Sequence, residues 1–70
     1  MRYMVVIEEG ESSYGAYVPD LPGCVAVGDT RKEVLTLIQE AIVLHLEMLQ
    51  DDGLPVPLPH SVSEYVAVFA

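Results

Sequence analysis

The side chains able to do chemistry are few in this chain: 11 acids, two histidines and one cysteine. Three or four carboxylates converging on two divalent cations ~4 Å apart would make a phosphodiester-cleaving centre. Glu8, Asp20, Asp29 and Glu40 are the candidates. Such a centre needs an acid on the central part of the first strand, yet positions 5 and 6 are both valine and Glu8 stands at the strand's end. Glu40 falls on the polar arc of a helix, away from any sheet. His45 lies among Val34, Ile38, Ala41 and Leu49 on the opposite, apolar arc. It reads as a neutral core residue with one hydrogen-bond partner, or as a pH-sensitive interface, since imidazole can charge in the physiological range. His60 follows Pro59 in a loop and has no identifiable partner. Cys24 cannot form an internal disulfide alone and reads as a small buried hydrophobe. No Cys/His cluster has metal-ligand spacing. No catalytic residue, metal or cofactor is expected.

The element that must position these groups is one long helix between Gly28 and Gly53. Thr30 and Glu33 have capping-box spacing, with Asp29 a competing N-cap. Gly53 can take the left-handed conformation past the end, and Pro55, Pro57 and Pro59 forbid resumption. At 100° per residue the apolar arc spans roughly 200°, about twice what a surface helix buries against its own domain. A single sheet leaves a flank of Leu or Met uncovered, which points to a partner chain over Leu44, His45 and Met48.

Strands are expected at Tyr3–Glu8, Tyr14–Val18, Val25–Gly28 and Val62–Phe69. The first two form a hairpin through Glu9–Ser13. Between the second and third runs Pro19-Asp20-Leu21-Pro22-Gly23-Cys24, where Pro22-Gly23 signals a type II turn. Leu54–Pro59 should run extended without ladder bonds. The predicted fold class is α+β in the order β-β-β-α-β: one small sheet with the helix on one face. A right-handed crossover would place the last strand beside the first.

Seventy residues make one domain that buries only ~60% of its unfolded surface and usually needs a staple or an oligomer. With 51% hydrophobic residues and no disulfide, a homodimer or homotetramer is the expected source of extra burial. No apolar run approaches the ~20 residues of a membrane span, and no leading signal segment is apparent, so the expected location is cytoplasmic. The net charge of −8 repels phosphate backbones, so no direct nucleic-acid binding is expected and a basic protein partner suits the field better, although acidity also serves solubility alone.

The run Tyr14-Gly15-Ala16-Tyr17-Val18-Pro19-Asp20-Leu21-Pro22-Gly23-Cys24, then Gly28-Asp29-Thr30 opening a helix and Asp52-Gly53-Leu54-Pro55 closing it, resembles the HicB family of antitoxins. The resemblance covers nearly the whole chain. It implies a partial RNase H-like domain with the strand order above. It also implies an antitoxin role: a small RNA-cleaving toxin of the HicA type held inactive by direct binding. The C-terminal DNA-binding segment of many family members finds no counterpart before Ala70. The expected toxin contacts are acids in turns and helix ends: Glu9, Glu11, Asp20, Asp51 and Asp52. Two other readings stay open, a degenerate RNase H-type metal-dependent nuclease and a solitary homo-oligomeric domain that binds a small molecule.

Overall fold

A computed structural model describes residues 1–69. Three short strands and one helix follow in chain order: β1 (Val6–Glu9), β2 (Tyr14–Tyr17), β3 (Val25–Gly28) and α1 (Arg31–Asp51). The sheet is an antiparallel meander of order β1-β2-β3. Its register sets Ile7, Ala16 and Ala26 opposite one another on the face towards α1. The other face carries Val6, Tyr17, Val25 and Val27. The α+β layout matches the expectation from sequence.

The turns form where residue type demands. The Gly10 amide donates to the Ser13 carbonyl at 2.8 Å, closing the β1–β2 hairpin. Between β2 and β3 the Cys24 amide donates to the Leu21 carbonyl at 3.0 Å, with Gly23 at φ +85°. That is the type II turn expected from Pro22-Gly23, since only a residue tolerating positive φ fits its third position. Leu21 is driven inward and is fully buried.

The helix begins where its cap dictates. Thr30 has extended backbone angles, and its hydroxyl accepts from the Glu33 amide at 3.0 Å. At the far end Gly53 takes φ +68°. There the Leu54 amide donates to the Leu49 carbonyl at 2.8 Å, and the Gly53 amide to Gln50 at 3.1 Å. These two bonds are a Schellman motif, which satisfies carbonyls the helix would otherwise leave open.

Geometry limits what the helix can bury. Its 21 residues extend about 30 Å, whereas four-residue strands extend about 13 Å. The helix lies over β2 and β3, and its two fully buried residues, Val34 and Ile38, fall in its first half. With Ala16, Val18, Leu21 and Cys24 they form the core. Beyond it Val43, Leu44 and Met48 overhang and are exposed. The approach of β3 to α1 is close. A Cβ on Gly28 would stand 2.9 Å from the Val34 backbone nitrogen, a contact real structures avoid. Gly28→Ala is therefore expected to destabilise the fold by about 1–3 kcal/mol. Denaturant unfolding checks this, and an unchanged midpoint would mean that helix and strand separate freely there.

The expected last strand is a correction. Residues 62–69 form no strand in this structure and are exposed throughout. Their alternation of valine and aromatic residues suits a half-buried strand, but a single chain gives them nothing to be buried against.

Candidate functional site

The Pro19–Cys24 loop does its work through Asp20, which is only 4% exposed. One carboxylate oxygen accepts from the backbone amides of His60 and Ser61, each at 2.9 Å. The other accepts from the Ser61 hydroxyl and lies 3.2 Å from His60 Nε2. An acid flanked by prolines thus clamps the chain 40 residues downstream, where it leaves the Pro-rich exit. Tyr3 adds a second tie by donating its hydroxyl to the Pro57 carbonyl. His60 Nδ1 lies 3.1 Å from the Leu58 carbonyl, so both ring nitrogens face acceptors.

These contacts hold the Asp20 carboxyl down at about 2, from an ordinary 3.8. The Ser61 hydroxyl contributes most, followed by the Ser61 amide; desolvation opposes them, and the His60 amide and ring act in the same sense as Ser61. Because the folded-state value is depressed, the stabilisation is present above the ordinary carboxylate range and is lost as pH falls towards 2. The amide signals of His60 and Ser61 should titrate together in that window. In Asp20→Asn the titration should vanish, and both amides should exchange with solvent about tenfold faster at neutral pH. Unchanged exchange would show that the exit is held by other contacts.

Asp20 therefore leaves the set of surface acids proposed from sequence: its carboxylate is consumed inside the fold. The other four are exposed, but they do not share one patch. Glu9 pairs with Tyr14, and Tyr14 with Gly28, which places Glu9 and Glu11 at the end where the helix starts. Asp51 and Asp52 lie at the other end of the helix, about 30 Å along its axis. Two acidic poles result.

The motif residues divide by task. Pro19, Pro22 and Gly23 shape the loop, while Leu21 and Cys24 fill the core beneath it. Gly28, Asp29 and Thr30 set the helix start, and Gly53 its stop. Burial pushes the Cys24 thiol upward, which suppresses the reactive thiolate. His45 is half-buried rather than in the core. With Leu44 and Met48 it borders an open cavity of about 280 Å³ against Gly23, Cys24 and Val25. The helix has outrun its sheet there, so the histidine meets a loop edge instead of packed side chains.

Among the described residues no three His, Cys, Asp or Glu side chains stand together as metal ligands. Glu8, Asp20, Asp29 and Glu40 are thus not gathered into a hydrolytic centre. No helix among the described residues is long and apolar enough to cross a membrane. Sequence reasoning missed His60 and Ser61 as the partners of Asp20. The contacts span 40 and 41 positions, and no local pattern in the sequence marks them.

The family model described as HicB_like antitoxin of bacterial toxin-antitoxin system matches residues 3–69. Antitoxin HicB 2 of Photorhabdus laumondii subsp. laumondii is 34% identical over 64 residues, covering 91% of this chain and 46% of that protein. An uncharacterized 14.9 kDa protein of Haemophilus phage HP1 is 35% identical over 66 residues, 94% of this chain and 50% of its own. A UPF0150 protein of Helicobacter pylori is 49% identical over 54 residues, covering 77% of this chain and 75% of that protein. The chain spans about half the length of the first two relatives. No solved structure matches it significantly.

Proposed function

Because this chain belongs to the HicB-like antitoxin family of bacterial toxin–antitoxin systems, we propose that it is a protein-binding module that neutralises a small, basic, RNA-cleaving toxin of the HicA type by direct contact. The observation that carries this reading is the family match over residues 3–69. The charge gives an independent physical reason for the same partner class. A net charge of −8 on 70 residues draws a basic protein and repels RNA. The exposed acids at the two poles, Glu9 and Glu11 at one and Asp51 and Asp52 at the other, are the toxin contacts. An acidic binder placed over a basic RNA-binding surface competes with the substrate for it. The module does no chemistry of its own.

The chain also associates with itself, as a homodimer or homotetramer. Tyr17, Val25 and Val27 on the open sheet face support this, as do Val43, Leu44 and Met48 on the overhanging helix. The setting is the cytoplasm, where the toxin's RNA substrates are. The test of the toxin reading is co-expression with the small basic protein from the adjoining reading frame. The two should co-purify at low salt. Failure of any neighbouring basic protein to co-purify would remove the antitoxin assignment.

A further inference from the structure

One segment of this chain stands outside its own fold. Residues 62–69 form neither helix nor strand, and the exposures of Val62 (90%), Tyr65 (98%), Val66 (77%) and Phe69 (110%) leave these side chains uncovered. The consequence is measurable in the whole molecule. Its accessible surface is 5603 Å², where a folded monomer of this mass has about 4,300 Å². Its radius of gyration is 13.9 Å, against about 11 Å for a compact chain of this length. The excess of about 1,300 Å² is larger than the ~800 Å² each partner contributes to a standard interface.

The acceptor for this segment lies in the same chain type. β1 pairs with β2 along one side only. Beside it is a cavity of about 520 Å³, lined by Val6, Ile7 and Glu9 and, across the gap, by Ser63, Glu64 and Tyr65. An open edge strand is a template for another strand. We propose that residues 62–69 add as a strand to the free β1 edge of a second copy, which returns the same segment, giving a strand-exchanged dimer.

The occupant is argued from burial and charge. α1 covers β2 and β3, so a segment folding back onto its own β1 edge would satisfy its backbone and leave Tyr65 and Phe69 bare. A second body brings its own surface over them. A basic partner finds little here, since Glu64 is the one charged residue between Val62 and Phe69. A chain that carries both donor strand and acceptor edge is complementary to itself, and two-fold exchange closes without further copies. This inference rests on the self-association proposed above and is independent of the toxin.

The test uses the full chain with one added cysteine in each of two variants, Glu8→Cys on β1 and Val66→Cys on the segment. Cys24 is buried and its thiol is pushed up, so it stays silent to a short bismaleimide. Mixing the variants should give about tenfold more covalent dimer than either alone, because adjacent strands lie ~4.8 Å apart. Val66→Pro, which removes a ladder donor, should raise the dimer dissociation constant about tenfold. A chain carrying both cysteines that closes on itself as a monomer would overturn the exchange. Dimeric mass in sedimentation without hetero-cross-linking would overturn it too, while leaving self-association standing. A monomer at ~100 μM would overturn both.

Discussion

Leu21→Ala is expected to cost about 2–5 kcal/mol of folding stability, the range for emptying a well-packed aliphatic site. Leu21 is 0% exposed and is surrounded by the rest of the core, Ala16, Val18, Cys24, Val34 and Ile38. A 70-residue domain has about 4–10 kcal/mol in total, so this one change removes a large fraction of it. For a domain of this size the melting temperature should fall by more than ~10 °C. The effect should reach beyond the core. Leu21 fixes the loop that carries Asp20, and Asp20 holds His60 and Ser61, so protection of those two amides should fall as well. Leu58→Ala, at a residue 73% exposed, is the comparison and should stay within ~0.5 kcal/mol of wild type. Equal losses from the two substitutions would mean that the core described here is not what stabilises the chain.

The second large effect is on association. Asp51→Lys with Asp52→Lys adds two charges at each position, moving the net from −8 to −4 and reversing one acidic pole. Association with the proposed basic toxin should slow about tenfold at low salt, since complementary charge acts mainly on the encounter rate. The difference should fade as the Debye length shrinks from ~10 Å at 0.1 M to ~3 Å at 1 M. The fold should not suffer. The last turn of α1 holds no basic residue and ends on two acids that oppose the helix dipole, so lysine there adds about 0.3–1 kcal/mol per residue. Slower binding by a chain at least as stable as wild type assigns the effect to the interface. Stopped-flow mixing at the two salt concentrations measures it, and equal rates would leave Asp51 and Asp52 as solvated surface.

What the sequence made legible was local. Thr30, Glu33 and Gly53 marked the helix because caps depend on neighbours three or four residues away. Pro22-Gly23 marked its turn for the same reason. What stayed hidden depended on distance. An acid is usually exposed, and nothing near Asp20 announces that two amides 40 residues later will take its carboxylate out of solvent. The alternating pattern at 62–69 predicted a strand, yet alternation states only that a segment suits a half-buried position, not which chain provides the cover. His45 shows the same limit. The width of the apolar arc was readable, but the place where the helix outruns its sheet depends on strand lengths that came out shorter than the patterns suggested. The candidate site divided likewise. The exposed acids could be named from sequence, whereas their separation into two poles required the register of β1, β2 and β3.

The claim at the centre is that this chain silences an RNA-cleaving protein by binding it. The direct measurement is RNA cleavage by the purified basic neighbour as this chain is titrated in. Cleavage should fall in proportion and vanish near one binding site per toxin. With Asp51→Lys and Asp52→Lys, more of the chain should be needed at low salt for the same loss. Undiminished cleavage at saturating excess of the wild-type chain would contradict the account.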